Sequence, residues 1–364
     1  MTAAGSARTL VVPGPGVLEI VETPEPALAD GCFRGETLFT GLSAGTELTW
    51  YRGTNPYLSA GWDTEFGLFE HGRPAQQYPV TRLGYMEAAR VTDSRTTAVP
   101  EGAVVAMAYG HSTVVHGNPD TEHVVQLPAG LDPLLGIFVA HLGPICANGL
   151  LHAAAEVGGV DLGAGVRGRR VLVTGGGAVG LLVALLARVH RADDVVVVDA
   201  TPRRRAAAVG LGVDAVDDTP DVARQLKARW RHGPADHGAD VAFQCRGQAS
   251  ALATALRCLR PQGTVVDLAF YTGGAADLAL GEEFHHNGLT VRCAQIGRVP
   301  RSLASSWDRR RLSAETLALL IAHGEQVRRH VLTDVVPFDD APELFADLSG
   351  RRRHVISAAF EIPA

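Results

Sequence analysis

The sequence predicts an α/β protein in which a β-rich domain is joined to a doubly wound parallel sheet. Its 364 residues exceed what one hydrophobic core usually holds, so two domains are expected. Short apolar runs separated by Gly and Pro, such as residues 7–14, 17–22 and 102–109, fill the first 148 residues. Beyond residue 169, apolar strands alternate with helical segments, which is the pattern of a parallel sheet covered by helices.

Composition excludes several classes of function. The formal net charge is −6 and the pI is near 6.2, so the composition lacks the excess of positive charge that is typical of nucleic-acid-binding proteins. The five cysteines form no CxxC pair, which argues against a zinc knuckle or a disulfide framework. No secretory signal is visible, and the apolar run at 171–189 contains a glycine turn rather than a membrane span. We expect a cytoplasmic protein with a small-molecule substrate and neither nucleic-acid nor membrane partners.

A dinucleotide-binding turn begins after residue 169. The β-branched run at 170–174 predicts a buried strand, and Gly175, Gly177 and Gly180 follow as G-x-G-x-x-G at the start of a helix. The first glycine permits the tight turn, the second lets a pyrophosphate approach the backbone, and the third packs the helix on the strand. The helix N-terminus favours the phosphate charge. This order of strand, turn and helix indicates a Rossmann domain.

The helix that opens at Ala178 and Val179 is followed by a second apolar strand, which ends in Asp199. We therefore assign these two helix residues to the cofactor site together with the glycines. Asp199 can accept hydrogen bonds from the adenosine ribose hydroxyls and would repel a 2′-phosphate, which favours NAD over NADP. The arginines at 203 to 205 keep the alternative open, since arginine there could bind such a phosphate.

The alternation of strands and helices continues to residue 298 and gives about six strands. A helix that starts at residue 249 is expected to stop at Pro261 and Gly263, before a strand at 264–270. The cofactor domain is therefore predicted to span residues 150–298. The tail from residue 299 predicts two helices and a final strand.

With these features the chain resembles the medium-chain dehydrogenase/reductase superfamily, which contains alcohol and polyol dehydrogenases. The run "GEEFHHNGLTVRCAQIGRV" is most similar to its bacteriochlorophyllide-dehydrogenase-like branch. The resemblance covers nearly the whole chain and implies a GroES-like catalytic domain at 1–149 and 299–364, interrupted by the Rossmann NAD-binding domain at 150–298. It also implies a homodimer that pairs through the strand "LTVRCAQIG".

The resemblance assigns further residues to the cofactor: a basic residue after the adenosine-binding acid, the adenine-side turn, and the segment that faces the nicotinamide carboxamide. In this sequence they fall on Arg204, Cys245, Arg246, Leu268 and Phe270. A threonine that the family places beside the nicotinamide falls near Cys146, which could equally be a small buried residue. A reactive thiolate at Cys146 is not indicated, because nothing in the sequence would lower its pKa.

The residue types in the stretch "AGTELTWYRG", residues 44–53, are spaced as in a zinc-site motif of these dehydrogenases. Laid on that motif without gaps, Ala44 replaces the cysteine ligand, Thr46 takes the place of the proton-relay hydroxyl, and Glu47 that of the aspartate. The histidine that ends the family's relay becomes Thr49.

The family's second signature falls on "GYMEAARV", residues 84–91, where Tyr85 replaces the histidine ligand and Met86 the neighbouring glutamate. A catalytic zinc needs about three protein ligands, and the lobe of closely spaced cysteines that holds the family's structural zinc is missing. We therefore predict an enzyme without zinc. A rearranged metal site stays open as an alternative, although each of its candidates is individually expected to be solvated or hydrogen-bonded. Those candidates are Glu47, Glu87, His71 and His111.

Without a metal, another group must polarise the carbonyl or take the hydroxyl proton. Tyr85 and Thr46 are the candidates, because a phenol hydrogen-bonded to the reacting oxygen can stabilise developing alkoxide charge. His111, beside an apolar run, could pass protons between a buried alcohol and water, with Glu47 next to the relay. The alternative for Tyr85 is a packing residue with a satisfied hydroxyl.

The leading hypothesis is an NAD(H)-dependent oxidoreductase of the medium-chain type, working without zinc. It would interconvert a secondary alcohol and a ketone on a small polar substrate such as a cyclitol, sugar or polyol. A zinc-free enoyl or quinone reductase is an alternative, although Asp199 disfavours the NADPH that such enzymes often use. A non-catalytic NAD-binding protein is a third hypothesis, and steady turnover would exclude it.

Overall fold

The computed structural model describes residues 5–276 and 278–363. The chain divides into two units, of which the first ends at His141 and resumes at Thr333, and the second spans Leu142–Leu332. The predicted boundaries at 149/150 and 298/299 therefore need correction. The region 299–332 belongs to the second unit, because its long helix packs against the helix that opens that unit.

The first unit is β-rich, as predicted. Its leading elements are β1 (Ser6–Gly14), β2 (Val17–Pro24), β3 (Phe33–Leu42), α1 (Ala44–Arg52), β4 (Ala60–Asp63), β5 (Leu68–His71), β6 (Glu87–Ser94), β7 (Val104–Met107), β8 (Val114–Gly117) and β9 (Val124–Gln126). β1 and β2 form a hairpin, and so do β4 and β5.

The second unit is a doubly wound α/β domain. Its elements are α2 (Leu142–Glu156), β10 (Arg170–Thr174), α3 (Ala178–Val189), β11 (Asp194–Val198), α4 (Pro202–Gly210), β12 (Asp214–Val216), α5 (Val222–Arg229), β13 (Arg231–Gly233), β14 (Asp236–His237), β15 (Ala239–Gln244), α6 (Ala249–Cys258), β16 (Leu259–Asp267), α7 (Glu283–His286), β17 (Thr290–Cys293) and α8 (Arg309–His330). The parallel sheet has the order β12-β11-β10-β15-β16-β17, which confirms the predicted Rossmann architecture. The order reverses between β10 and β15, where such sheets bind their ligands.

The tail returns to the first unit through β18 (Leu332–Pro337), α9 (Ala341–Ser349) and β19 (Ser357–Glu361). β19 pairs antiparallel with β3, in a sheet of order β18-β19-β3-β6-β7-β9 with β8 alongside β3. The predicted return of the C-terminal segment to the first domain is thus present in the sheet. Among the described residues, no helix is long and apolar enough to cross a membrane.

The end of α6 differs from the prediction. The helix ends at Cys258, and Pro261 and Gly263 lie inside β16 instead of stopping the helix. The register with β15 shifts between Ala239 and Val241, which leaves Pro261 in an irregular part of the ladder. Proline is tolerated in a strand at such a bulge, because no ladder hydrogen bond is needed from it there.

Packing of one face fixes α1 in the first unit. Leu48 and Tyr51 are buried in a core with Phe345 of α9 and Phe360 of β19, and the Tyr51 and Phe345 rings lie 5.8 Å apart. Burial of each such side chain stabilises the fold by about 1.5–3 kcal/mol. This anchor leaves Thr46, which directly precedes the buried residues Glu47 and Leu48, half-exposed on another side of the helix.

Candidate active site

The glycine turn of the second unit depends on positions that only glycine can occupy. Gly175 has φ of 98°, in the left-handed region that a Cβ disfavours. A Cβ on Gly180 would stand 1.8 Å from the carbonyl oxygen of Gly175, so α3 packs directly against the end of β10. The predicted roles of these two glycines match their geometry.

The N-terminus of α3 is suited to an anion. Gly177 is its N-cap, no side chain caps the helix, and nothing lies within 4 Å of where a Cβ on Gly177 would be. The first N–H groups of α3, at Ala178 and Val179, have no partner within the helix and lie at the positive end of the helix dipole. This geometry fits the pyrophosphate of a dinucleotide.

Asp199 follows β11 and is 3% exposed. Its Oδ2 accepts from the backbone N–H of Gly176 at 2.8 Å, and its Oδ1 accepts from that of Thr201 at 2.8 Å. The guanidinium of Arg204 lies 3.5 Å from Oδ2. A carboxylate has about four acceptor positions, so it can hold the turn and still bind another donor.

Cys146 corrects one prediction. It is fully buried in α2, and its thiol faces the carbonyl oxygen of Val179 at 3.6 Å. Burial also raises the pKa of this thiol, so it stays neutral. With no surface to offer a ligand, Cys146 packs beneath the glycine turn instead of contacting the cofactor.

A polar network at the carboxyl end of the sheet was missed by the sequence analysis. Thr174, Gln244 and Asp267 are the last residues of β10, β15 and β16, and they pair in register. The Thr174 hydroxyl donates to Gln244 Oε1 at 2.9 Å, and Gln244 Nε2 donates to the Tyr271 hydroxyl at 2.9 Å. The Tyr271 hydroxyl donates in turn to Asp267 Oδ2 at 2.8 Å. A polar residue ending each of three apolar strands is the signal that could have found it.

This network holds two loops that the sequence analysis assigned to the cofactor. Gln244 Oε1 accepts from the Arg246 N–H at 3.0 Å, and Asp267 Oδ1 accepts from the Ala269 N–H at 2.9 Å. The loops also touch, since a Cβ on Gly247 would lie 2.4 Å from the carbonyl oxygen of Phe270. Arg246 and Phe270 are partly or well exposed beside them, as binding residues should be.

The remaining two assigned residues, Leu268 and Cys245, are half-buried. The Leu268 side chain packs over Gly149, where a Cβ would lie 2.8 Å from it. Burial raises the pKa of the Cys245 thiol well above its ordinary value, so this cysteine is a neutral lining group. Burial likewise raises the pKa values of Asp267 and Tyr271.

In the first unit, hydroxyl groups gather at the start of α1. Ser43 is the N-cap, and its hydroxyl hydrogen-bonds the hydroxyl of Tyr85. The Tyr85 hydroxyl also lies 3.5 Å from Thr46 Oγ1, so the two predicted catalytic residues are brought together. Burial raises the pKa of Tyr85, and the hydrogen bonds from Ser43 and Thr46 oppose that rise only in part. Tyr85 is therefore a protonated phenol near neutral pH.

Glu47 and His111 form a buried pair behind these hydroxyls, each 1% exposed. His111 Nε2 lies 2.7 Å from Glu47 Oε2, and its Nδ1 lies 2.7 Å from Thr40 Oγ1. Glu47 Oε1 accepts from the backbone N–H of Ser43 at 2.7 Å. The predicted role of His111 in passing protons to water needs correction, because both ring nitrogens are engaged inside the protein. The pair instead holds the N-terminus of α1.

Gly84 makes this arrangement possible. Its φ is 93°, and a Cβ would stand 2.8 Å from His111 Nε2. The histidine ring therefore fits directly under the loop that carries Tyr85. His141 was missed by the sequence analysis: its half-buried ring lies 4.5 Å from that of Tyr85.

The four candidates for a rearranged metal site do not form one group, since Glu47 and His111 meet but Glu87 and His71 do not join them. Glu87 is fully buried, accepts from the Thr37 hydroxyl at 2.6 Å, and has its pKa raised by burial to about 8. His71 is exposed on β5. Within residues 5–276 and 278–363, no three His, Cys, Asp or Glu side chains form a group that could hold a metal ion. The prediction of a zinc-free reaction stays a prediction.

The Rossmann sheet, the glycine turn and the hydroxyl cluster define a nicotinamide-dependent oxidoreductase. A family described as zinc-binding dehydrogenase matches residues 178–309. D-guloside 3-dehydrogenase from Shigella flexneri is 26% identical over 360 residues, covering 93% of this chain and 95% of that protein. These similarities support an alcohol dehydrogenase of the medium-chain dehydrogenase/reductase type.

Solved structures share the fold. A zinc-binding dehydrogenase from Sinorhizobium meliloti bound to NADP has a TM-score of 0.72 and 18% identity, covering 98% of this chain and 99% of that one. An alcohol dehydrogenase from Escherichia coli complexed with NADH has a TM-score of 0.72 and 15% identity, covering 98% and 100%. Both phosphorylated and unphosphorylated nicotinamide dinucleotides thus occur on this fold.

Proposed function

We propose that the protein is an NAD(H)-dependent, zinc-independent dehydrogenase that interconverts a secondary alcohol and a ketone on a cyclitol-, sugar- or polyol-like substrate. The observation that carries the proposal is the Tyr85 hydroxyl, hydrogen-bonded to Ser43 and next to Thr46, in the segment where the family's metal ligands fall. When bound, NAD accepts the hydride from the alcohol carbon or, as NADH, returns it to the ketone.

The preference for NAD is supported by the charges after β11. Asp199 keeps a carboxylate at the site expected for the ribose, where a 2′-phosphate would meet like charge. Arg204 is already near Asp199, and Arg205 lies 3.0 Å from Asp217. Both arginines therefore have acidic partners that a phosphate would have to displace.

Tyr85 would bind the oxygen of the substrate. Because its pKa is raised, it remains a hydrogen-bond donor at neutral pH and can stabilise the alkoxide charge that develops during hydride transfer. Ser43 and Thr46 orient the phenol, and the buried pair of Glu47 and His111 fixes the backbone that presents Ser43. Glu47 and His111 are thus positioning residues in this proposal.

Proton exchange would use His141. Its ring lies against that of Tyr85 and is half-buried, so it has access to both the phenol and solvent. Imidazole can take up or release a proton near neutral pH. We therefore propose for His141 the proton-transfer role that the sequence analysis gave to His111.

Zinc independence is supported by the chemistry of the side chains. Ala44 has no donor atom, and the neutral phenol of Tyr85 is a poor zinc ligand compared with cysteine, histidine or a carboxylate. The match to the zinc-binding dehydrogenase family covers residues 178–309 and does not include these positions. The family description therefore does not bear on the ligands.

The substrate class is supported by the relative that acts on D-gulosides and aligns over most of both chains. A sugar derivative offers several secondary alcohols, and the hydroxyl cluster offers the matching donors and acceptors. The homodimer remains part of the proposal, with β17 available for pairing because it lies at the edge of its sheet.

The test is metal content per chain and NADH formation on the same preparation, purified without chelator or added zinc. The substrate panel contains cyclitols, sugars, glycosides and alditols, each tried with NAD and NADP. We expect turnover of at least one secondary alcohol with NAD at a metal content far below one per chain. Near-stoichiometric zinc that is required for activity would refute the metal-free mechanism, and tight NAD binding without any turnover would refute the enzyme.

A further inference from the structure

The hairpin of β4 and β5 exposes a cluster of large apolar side chains. Trp62 is 44% exposed, Phe69 43% and Phe66 70%, and Leu68 beside them is 62% exposed. Such a concentration on one short hairpin is unusual for a surface, where large apolar residues are normally scattered singly. We refer to Tyr57, Trp62, Phe66 and Phe69 as the aromatic ledge.

Three rings of the ledge, those of Tyr57, Trp62 and Phe69, are ordered against one another. Trp62 and Phe69 meet edge to face at 5.1 Å between centroids, and Phe69 meets Tyr57 at 5.7 Å. Tyr57 in turn stacks on Trp50 at 6.5 Å with an interplanar angle of 17°. These contacts hold the rings in place, so the exposed faces form a pre-organised surface and not a set of free side chains.

The two faces of the hairpin carry different side chains. Trp62 and Phe69 are directly paired across the two strands, so both rings lie on the same face. On the opposite face the chain returns across the hairpin, since a Cβ on Gly61 would stand 2.8 Å from the carbonyl oxygen of Arg73. The aromatic face presents the exposed rings of Trp62 and Phe69, whereas Leu68 and Glu70 alternate with Phe69 and project from the other face.

The ledge is continuous with the candidate active site. Trp50 lies on α1 one turn after Thr46, and residues one turn apart share a face of a helix. The buried residues of α1 are Glu47, Leu48, Thr49 and Tyr51, whereas Thr46 and Trp50 are partly exposed. The ring contacts therefore run from Trp50 through Tyr57 and Phe69 to Trp62. They start one helical turn from Thr46, the residue that contacts Tyr85.

Charge and size indicate what the ledge binds. Residues 60–73 contain Asp63, Glu65 and Glu70 but one arginine, Arg73, which lies 3.2 Å from Glu70. Excess acid disfavours an anionic membrane surface. The ledge is also far smaller than the roughly 20–30 residues a side of a stable subunit interface. Exposed aromatic rings on an acidic hairpin instead match a neutral sugar ring, which has an apolar C–H face on which the rings can stack.

We infer that the aromatic ledge is a subsite for a second ring of a glycoside substrate, a ring linked to the sugar that is oxidised at the Tyr85 cluster. This inference rests on the proposed function and adds to it that the natural substrate is a glycoside and not a free polyol. The aromatic rings would stack on the C–H face of the second ring and raise the specificity for the two-ring substrate.

The test compares a disaccharide or phenyl glycoside with the corresponding one-ring methyl glycoside. We expect Trp62→Ala to lower kcat/KM for the two-ring substrate about tenfold, with a change of less than about twofold for the one-ring substrate. Phe66→Ala, at the tip of the hairpin, serves as a second variant, and Ile321→Ala, which removes a 65% exposed side chain from α8, is the matched control. Equal effects on both substrates, or none, would overturn the inference.

Direct binding separates this inference from the proposed function. The phenyl glycoside is titrated by calorimetry against the full-length protein and the Trp62→Ala variant, in the absence of turnover. Weaker binding to the variant supports the subsite even if no alcohol is oxidised, whereas equal binding overturns it. A change of oligomeric state in the variant, measured by light scattering, would show that a second copy covers the ledge and would also overturn it.

Discussion

The glycine turn of the second unit and the hydroxyl cluster of the first unit are both polar sites, but they are built from different parts of the chain. The turn uses backbone: Gly175 and Gly180 are fixed by sterics, and the anion-binding groups are N–H groups at the start of α3. The cluster uses side chains, with Ser43 and Tyr85 in hydrogen-bond contact.

This difference explains why one site keeps its motif and the other does not. A site built from backbone needs glycine wherever a Cβ would collide with neighbouring atoms. Replacement of such a glycine would therefore disrupt the turn. A side-chain site can exchange its chemistry position by position while its backbone stays. Ala44 and Tyr85 stand where the resemblance places metal ligands, yet Gly84 still leaves the space that His111 fills.

The largest effect is expected from removal of the Tyr85 hydroxyl. Tyr85→Phe should lower kcat about 100- to 1000-fold, the range found when a donor to a developing oxyanion is lost. NADH affinity, measured by fluorescence titration, should not change, because the glycine turn is untouched. Tyr51→Phe is the matched control, since Tyr51 lies on α1 in the buried core. An unchanged kcat in Tyr85→Phe would remove the hydroxyl cluster from the mechanism.

The next effect concerns the steric limit on the glycine turn. Gly180→Ala would place a Cβ 1.8 Å from the Gly175 oxygen, so α3 must move away from β10. We expect the free energy of unfolding, measured by urea denaturation, to fall by about 3 kcal/mol. A stability equal to that of the parent would contradict the close packing described for this turn.

Gly177→Ala is the companion variant, because a Cβ there meets nothing within 4 Å. Its unfolding free energy should stay within about 0.5 kcal/mol of the parent, while NAD affinity falls as the methyl group occupies the approach to the helix N-terminus. Unchanged NAD affinity would place the pyrophosphate elsewhere.

A smaller effect tests the buried acid next to the hydroxyl cluster. Burial raises the pKa of Glu87 to about 8, so the folded protein binds a proton that the unfolded chain releases near its ordinary pKa of 4.5. Stability should therefore fall as pH rises from about 5 to 8, by at most about 1.4 kcal/mol per pH unit. Glu87→Gln should flatten this dependence and be more stable at pH 8 by about 1–2 kcal/mol. Urea denaturation across that range measures it, and parallel pH profiles for the two proteins would exclude a neutral Glu87.

The smallest effect concerns the network at the end of the sheet. Tyr271→Phe removes the hydroxyl that joins Gln244 to Asp267, at a cost of about 1 kcal/mol. NAD affinity measured by calorimetry should fall about fivefold, because the loop at 268–270 loses its support, while the activity at saturating NAD stays close to that of the parent. Tyr109→Phe in the first unit is the control. An affinity loss of equal size in both variants would show that the network has no specific role.

Much of the second unit could be predicted because the residues assigned to its cofactor turn are close together in the sequence. Gly175, Gly177, Gly180 and Asp199 lie within 25 residues, and each role follows from steric or dipole rules for a strand, a turn and a helix. The doubly wound parallel sheet was confirmed for the same reason, since alternating units leave few topologies. Cys146 was assigned by resemblance alone, and only its burial showed that it packs under the turn.

The first unit was predicted less completely because its contacts join distant segments. Thr46 and Tyr85, which were predicted as catalytic residues, lie in one cluster, yet Ser43 and His141 were missed, since no local pattern connects them. His111 was given a proton-transfer role that its two internal hydrogen bonds contradict.

The sequence by itself determined the fold class, the dinucleotide turn and the altered zinc motif, because glycine sterics and the period of apolar residues act over a few residues. Only the tertiary structure decided which polar groups meet. Thr40 and His111 are 71 residues apart, and Thr174 and Gln244 are 70 apart. Such pairs depend on strand register and helix packing, which are set by the whole core and not by any single segment.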